Sequence, residues 1–338
     1  MNLKKINLYS QLKNFTVDNK ISKYRNLWHQ AAAYEILTNF PLHLDIELSG
    51  ICNLKCADCF QDNMIKEPLG LMDFDVFKRI IDEGSNKGLC AIKLQIRGES
   101  FLHPKLFDCI SYAKDNGVLD VQITTNATLL NDENIEKVLY SKLDAIIFSV
   151  DSHHKHSYLD KNKMNNYSAV EHNIKKLLAQ KRMNDKKLPW VRLRSSIEKC
   201  DLKSFQDTKE YLKRNFPGAD IYIVGKIHNF RNDKESYPNL HKDYDLKACS
   251  HLMQRLSIFW NGDVTTCCMD FNNTFKLGNI KDQSIEDIWL SSKIHNFRTI
   301  HYEQNRLKMP ICNNCHVCVQ LKNENEVYDS TLRHLADY

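Results

Sequence analysis

Leu42-His-Leu-Asp-Ile-Glu-Leu48, followed after Ser49-Gly-Ile by Cys52-Asn-Leu-Lys-Cys56-Ala-Asp-Cys59, is the stretch that decides how this chain reads. The first seven residues read as a strand, and the loop that leaves it carries three cysteines in Cys-x3-Cys-x2-Cys spacing. An iron–sulfur cube normally takes four thiolates. Three thiolates leave one iron open, and an open metal position is what separates catalytic sites from closed structural ones. From the residues alone zinc is the alternative, although structural zinc wants four ligands and only His43 could approach as a fourth.

Outward from this segment, Pro41 to Val224 alternates short apolar runs with longer helical patterns, the mark of repeated βα units and a parallel sheet. Six strands are expected, at Leu42–Leu48, Ala91–Ile96, Val121–Thr125, Ala145–Val150, Trp190–Ile197 and Ile221–Val224. Helical patterns fill the gaps at Phe74–Ser85, Pro104–Asn116, Asp132–Tyr140, Ser168–Gln180 and Leu202–Phe216. Asp73 is placed to cap the first of these, Pro104 to open the second and Gly117 to end it. The expected fold is therefore α/β, a partial (β/α)6 barrel, with a small cysteine-rich α+β unit after it.

The division expected along the chain is a helical extension over 1–40, the barrel over 41–225, a polar linker over 226–247, the cysteine-rich unit over 248–320 and a tail over 321–338. Within that unit Leu256–Trp260 and Val264–Cys268 alternate about Asn261-Gly262-Asp263, a hairpin signal. Cys312-x2-Cys315-x2-Cys318 closes it.

The 338 residues, 42% of them hydrophobic, suffice for two domains. No apolar run approaches the roughly 18 residues of a membrane span, and no signal-peptide core follows the N-terminus, so no membrane association and a cytoplasmic location are expected. Twelve cysteines in such a compartment suggest metal or cluster ligation rather than disulfides. The net charge of +5 is scattered, which argues against nucleic acid. Cys90, Cys109 and Cys200 read as small core residues, and His153, His154 and His156 as a solvated loop.

The cysteine triplet after a first strand resembles the signature of the radical S-adenosylmethionine superfamily. The resemblance implies that Cys52, Cys56 and Cys59 hold a four-iron cluster. The open iron would be chelated by S-adenosylmethionine, whose reductive cleavage gives a 5′-deoxyadenosyl radical. Arg97-Gly98-Glu99-Ser100 is similar to the family's Gly-Gly-Glu segment, with Arg97 in place of the first glycine, and implies that Gly98 and Glu99 hold the cofactor's ammonium group. Thr125, in Thr124-Thr-Asn-Ala-Thr128, and Ser149 and Asp151, in Ser-Val-Asp, are similar to cofactor-facing strand ends. Lys161 or Lys163 stands near the place of a carboxylate-binding arginine, with Arg194 a second candidate. Asp58 replaces the aromatic that often precedes the third cysteine, with Phe60 on the other side of Cys59.

Cys249, Gly262-x4-Cys267, Cys312 and Cys315 resemble the single-cluster "twitch" form of the SPASM extension, which implies one auxiliary four-iron cluster with Cys268 and Cys318 as possible substitutes. Zinc on four of these six is the alternative. The resemblance spans about residues 42–320. It implies hydrogen-atom abstraction from a substrate, a flavodoxin- or ferredoxin-like electron donor, and net oxidation of a small polar molecule such as a sugar or cyclitol. Radical modification of a peptide, or a redox-neutral epimerisation with Cys268 as hydrogen donor, are the alternatives within enzymology. An iron–sulfur electron carrier or a zinc-stabilised binding module is the alternative outside it.

Overall fold

A computed structural model describes residues 3–56, 59–64, 68–150, 166–197, 202–226, 244–246, 248–313, 315 and 319–321. Its first elements are the strand β1 (Lys4–Ile6), the helices α1 (Leu8–Leu12) and α2 (Val17–Ala32), and β2 (Ile36–Thr38). The strands β3 (His43–Ile46), β4 (Ala91–Lys93), β5 (Asp120–Thr125), β6 (Ala145–Ser149), β7 (Trp190–Ile197) and β8 (Ile221–Lys226) follow, each from β4 onward parallel to the one before. Between them run α3 (Phe74–Lys87), α4 (Leu106–Asp115), α5 (Asp132–Tyr140), α6 (Tyr167–Met183) and α7 (Leu202–Asn215). These are the six strands, with five helices between them, expected of the partial barrel. Asp73 caps α3 by accepting from the Asp75 and Val76 amides, and Gly117, at φ +86°, follows α4 in the left-handed conformation that glycine adopts freely.

Strict alternation in Leu42–Leu48 explains the two faces of the sheet. Leu42, Leu44, Ile46 and Leu48 are fully buried among the hydrophobic core residues that the helices cover. His43, Asp45 and Glu47 point the other way, onto the concave face, where the neighbouring strands contribute Lys93 and Gln122 in register with Asp45. The inner face is polar, which suits a chamber rather than a packed barrel centre.

The cysteine-rich unit does not stand apart from this sheet. Its elements are β9 (Tyr244–Leu246), β10 (Arg255–Ile258), β11 (Asp263–Thr265), β12 (Gly278–Asn279) and β13 (Val319–Leu321). The hairpin β10–β11 turns at Gly262, φ +90°, as expected, but β10 also pairs in parallel with β3. Among the described residues one sheet therefore runs β12-β11-β10-β3-β4-β5-β6-β7-β8. The reason is the open edge of the first barrel strand, whose unpaired amides need acceptors. Leu42 N–H donates to Gln254 O at 3.0 Å and Glu47 N–H to Ile258 O at 2.9 Å.

The N-terminal extension is two helices and a strand ribbon, β1 parallel to β2, rather than helix throughout. α2 buries Tyr24, Leu27, Trp28 and Ala31, one helical stripe. Trp28 meets the His43 ring edge-on at 6.1 Å, and the Arg255 guanidinium lies 5.1 Å from its ring, so this helix closes the amino-terminal end of β3 and β10. A second ribbon pairs β9, in the segment read as linker, with β13, at the end of the cysteine-rich unit and the start of the tail; three-residue strands are too short to show alternation. Cys90 and Cys109 are core residues, and Cys200 and the histidines 153, 154 and 156 lie outside the described residues.

Leu256, fully buried on β10, tests the shared sheet. Leu256→Ala should cost about 2–5 kcal/mol, and denaturant unfolding followed by barrel and C-terminal probes should move as one transition. Separate transitions would contradict a single cooperative sheet.

Candidate functional site

The cysteine loop leaves β3 at the carboxyl ends of the barrel strands, where parallel α/β folds gather function. Cys52, Cys56 and Cys59 are each half-buried, and Cys59 N–H donates to Cys56 O at 3.1 Å, turning the loop into the short 3-10 helix Phe60–Asn63. Burial pushes the Cys52 thiol up to about 11. It stays protonated until an electrophilic metal takes the proton's place.

The end of β4 is built into this loop. Glu99 N–H donates to Ile51 O at 2.9 Å. A side chain at Gly98 would lie 2.3 Å from Ser49 O and 2.4 Å from Ile51 O, so only glycine lets the two backbones meet. Glu99 is buried, its carboxylate accepting from Thr125 Oγ1 at 2.7 Å, Asn126 N at 2.8 Å and Phe101 N at 3.1 Å. Burial raises its pKa, against the pull of those three donors. Asn126 carries the chain of bonds onward, donating through Nδ2 to Asn53 Oδ1 at 3.0 Å and lying 3.8 Å from Cys52 Sγ. Asn53 in turn donates to Thr128 Oγ1 at 2.7 Å.

Ala127 holds the left-handed backbone conformation that glycine adopts freely, φ +62°. Left-handed backbone costs a residue with a Cβ about 1–2 kcal/mol. Thr125 Oγ1 on the Ala127 amide and Asn173 Nδ2 on its carbonyl hold it there.

Arg97, the departure from the family segment, has a different partner. It forms a bidentate pair with the fully buried Glu47, Nε to Oε1 at 2.7 Å and Nη2 to Oε2 at 2.6 Å. Its Nη1 donates to Phe271 O at 3.1 Å, and its guanidinium lies over the Phe259 ring at 4.0 Å. Glu47 also accepts from Trp260 N at 3.2 Å. Phe271 stacks on Phe60 with centroids 5.0 Å apart, and the Trp260 ring fills the space above Gly50 and Gly70. Two aromatics of the C-terminal unit, Phe271 and Trp260, thus press on the cysteine loop, and a third, Phe259, on Arg97.

On the concave face Asp45 meets Lys93 Nζ at 3.0 Å, His43 Nε2 at 3.3 Å and Arg255 Nη1 at 3.6 Å. Burial opposes ionisation of Asp45, but Lys93, Arg255 and His43 more than reverse it and hold the carboxyl well below its usual range. Burial, with Arg255 and Lys93 nearby, lowers His43 to about 4. Asp45 Oδ2, Arg255 Nε and Nη2, and Ser257 Oγ are buried with no hydrogen-bond partner among the described residues.

Behind this face a second group converges. Cys249, Cys267, Cys312 and Cys315 line one pocket with His251, His301 and Arg306. Tyr34 Oη donates to Cys249 O at 2.8 Å and Cys249 N–H to His301 Nδ1 at 3.1 Å. The buried Arg306 donates through Nη2 to Cys312 O at 3.0 Å and also reaches Cys315 O, fixing the Cys-x2-Cys turn. Burial pushes the Cys312 thiol upward. Cys268 shares a hydrogen bond with Cys267, which lowers it to about 7, and it lies within electrostatic range of Asp45, Lys93 and Arg255. Four soft thiols in a largely apolar wall form a donor set that suits iron–sulfur clusters and zinc alike. Among the described residues no three metal-binding side chains are arranged around a single ion.

The structure thus brings Gly98, Glu99 and Thr125 to the cysteine loop, and gathers Cys249, Cys267, Cys312 and Cys315. Ser149 ends β6 in register with Arg194, which is exposed. Asp58, Asp151, Lys161, Lys163 and Cys318 lie outside the described residues. Sequence reading missed Asn53, Asn126, Glu47 and Arg306. The alternation in His43, Asp45 and Glu47 was the signal for the polar face.

Two outcomes follow from this geometry. Arg97→Met strands the buried Glu47 charge, a loss of about 3–5 kcal/mol, and should open the cysteine loop to limited proteolysis while Arg97→Lys restores part of the protection. Equal protease resistance in Arg97→Met would show that the pair does not hold the loop. His43 and His301 are both lowered to about 4 by burial, below their ordinary 6.5. The unfolded chain therefore binds protons that the folded chain refuses. Stability present above pH 6.5 should be lost as pH falls toward 4, by about 1.4 kcal/mol per unit for each histidine. Denaturant midpoints measured across that range should fall, and His43→Gln should flatten the slope.

Comparison with known proteins agrees with these two centres. Residues 46–183 match the family model of the radical SAM superfamily, and residues 249–316 match SPASM, an iron–sulfur cluster-binding domain. A tungsten-containing aldehyde ferredoxin oxidoreductase cofactor-modifying protein of Pyrococcus furiosus is 25% identical over 313 residues, 81% of this chain and 86% of that one. An S-adenosyl-L-methionine-dependent 2-deoxy-scyllo-inosamine dehydrogenase of Niallia circulans is 42% identical over 72 residues, 21% of this chain and 28% of that one. The fold is also that of Streptococcus suis SuiB bound to its precursor peptide SuiA, with a TM-score of 0.59 and 16% identity over 88% of this chain and 73% of that one. The chain belongs to the radical S-adenosylmethionine superfamily and carries a SPASM domain, an enzyme whose cofactors are a four-iron cluster, S-adenosylmethionine and auxiliary iron–sulfur.

Proposed function

We propose that this enzyme oxidises a small polar molecule of sugar or cyclitol type on the concave face of its sheet. The observation that carries the reading is the set of buried hydrogen-bonding atoms there, on Asp45, Arg255 and Ser257, with no partner among the described residues. Such atoms are costly when their bonds are unmade. A ligand rich in hydroxyl and amino groups would supply both donors and acceptors. The dehydrogenase of Niallia circulans, named for 2-deoxy-scyllo-inosamine, acts on a molecule of that kind.

In this reading Cys52, Cys56 and Cys59 hold the radical cluster, and Cys249, Cys267, Cys312 and Cys315 hold one auxiliary cluster. The barrel spans 41–225 and the auxiliary domain 248–320. When bound, the clusters and S-adenosylmethionine supply a 5′-deoxyadenosyl radical for hydrogen abstraction and an acceptor for the remaining electron. Glu99 and Asn126 keep the cysteine loop in register with the strand ends, and Gly98, packed against that loop, would bring its backbone to the cofactor's ammonium group. Ser149 and Arg194 would face the cofactor's ribose and carboxylate, and Asp151 and Lys161 remain candidates from the sequence for the same contact. Asp45, Lys93 and Arg255 orient the substrate. Peptide modification is the second reading, favoured by the shared fold with peptide-bound SuiB. A flavodoxin- or ferredoxin-like protein would supply the electron.

Anaerobic reconstitution should load about eight irons per chain as two four-iron cubes. Iron near four with stoichiometric zinc would overturn the auxiliary assignment. Replacing Cys52, Cys56 and Cys59 together by Ala should abolish 5′-deoxyadenosine formation. Cys312→Ala with Cys315→Ala should leave cofactor cleavage measurable and stop formation of the oxidised product. Full product yield from that soluble double variant would redirect the reading to redox-neutral chemistry.

A further inference from the structure

A cavity of about 550 Å³ lies between the N-terminal ribbon and the helices after β12, and it shares no lining residue with the cysteine pocket. That volume falls within the range of small-molecule sites. Leu3, Ile6, Leu37 and Leu290 give it apolar walls.

Its polar groups divide into two kinds. The neutral ones are occupied: Asn7 Oδ1 accepts from Ser10 N at 3.0 Å, Asn39 bonds Leu8 N and Glu286, and Thr38 Oγ1 donates to Phe40 O at 2.7 Å. The others are basic, Lys5, His295 and Arg298, and among the described residues no acidic side chain lines the wall. Arg298 is 1% exposed, and its guanidinium rests on the Trp289 ring at 4.0 Å. It donates through Nε to Leu252 O at 2.9 Å and through Nη1 to Trp289 O at 2.9 Å. Nη2 is left without a hydrogen-bond partner among the described residues. A buried guanidinium with an unused donor requires an acceptor, and three basic groups with no acid require that acceptor to be anionic.

We propose that this cavity binds a small amphipathic anion, its carboxylate or phosphate head at Arg298, Lys5 and His295 and its apolar stem along Leu3, Ile6, Leu37 and Leu290. The site is separate from both cysteine groups and independent of the substrate reading above. It is nevertheless linked to them structurally. Arg298 holds the carbonyl of Leu252, which lines the cysteine pocket, and His301, one turn along the same helix, lines it too. An anion at Arg298 therefore bears on the helix that shapes the second cysteine group.

Isothermal titration of the cluster-loaded, full-length protein with octanoate, octyl phosphate and 1-octanol tests the proposal. At least one of the two anions should bind saturably, and 1-octanol at least about tenfold more weakly. The tighter anion identifies the head group. Lys5→Glu combined with His295→Glu, both on the exposed rim, should weaken the anion about tenfold or more, and Leu290→Trp should fill the cavity and abolish binding. Neither variant should change S-adenosylmethionine cleavage. Arg298→Met also removes two carbonyl contacts of the fold, so the rim and filling variants carry the decision. No saturable binding of either anion to about 1 mM, equal binding of 1-octanol, or anion binding unchanged in both variants would each overturn the proposal.

Discussion

The bidentate pair of Glu47 with Arg97 is the contact on which the arrangement of this molecule depends. Both side chains are nearly or wholly out of solvent, where a carboxylate is tolerated only if its charge and lone pairs are met. Glu47 spends its oxygens on the Arg97 fork and the Trp260 amide, and Arg97 spends its remaining donor on Phe271. One ion pair therefore joins the first barrel strand, the second strand end and the C-terminal unit. The cysteine loop emerges between them. An arginine at the first position of a segment that is glycine-rich in related enzymes is not a loss of function at that place but a change of task, from clearing room for a ligand to bracing a domain.

The two cysteine groups are held by different physics. The loop of Cys52, Cys56 and Cys59 is positioned by backbone contact through Gly98 and by aromatic pressure from Phe271 and Trp260. The pocket of Cys249, Cys267, Cys312 and Cys315 is positioned by side chains that seize backbone carbonyls, Tyr34 at Cys249 and Arg306 at Cys312 and Cys315. Between them lies a face of charges that only partly satisfy one another. Such a face is expensive for a folded protein to keep, and it is kept where something polar must be received.

Much of this was legible in the chain beforehand. The six strands and their helices show in periodicity, since each strand is a short apolar or alternating run and Asp73 and Gly117 mark where two of the helices begin and end. The hairpin at Asn261-Gly262 was legible because the turn demands positive φ. The attachment of β10 to β3 was not, because strand pairing between distant segments leaves no local pattern; only an open edge in space requires it. Nor could Arg306 be picked out, since a guanidinium that clasps carbonyls looks in sequence like any surface arginine. Glu47 and Asp45 stood in plain view as the polar alternates of an apolar strand, and only the known direction of the helices turns that alternation into an inner face.

The union of β10 with β3 also sets an order of assembly. Glu47 and the Trp260 amide that it accepts are 213 residues apart in the chain. Contacts so distant in sequence form late, after the local βα units, and during synthesis the barrel strands leave the ribosome well before their last neighbour exists. The cysteine loop is therefore complete in sequence long before Phe271 and Trp260 arrive to press on it. Through that interval it is an open loop beside an unpaired strand edge, accessible to whatever delivers iron and sulfur. Closure by the C-terminal hairpin then seals the loop in the same act that protects the edge, so maturation of the first cysteine group and completion of the sheet become successive steps of one folding reaction.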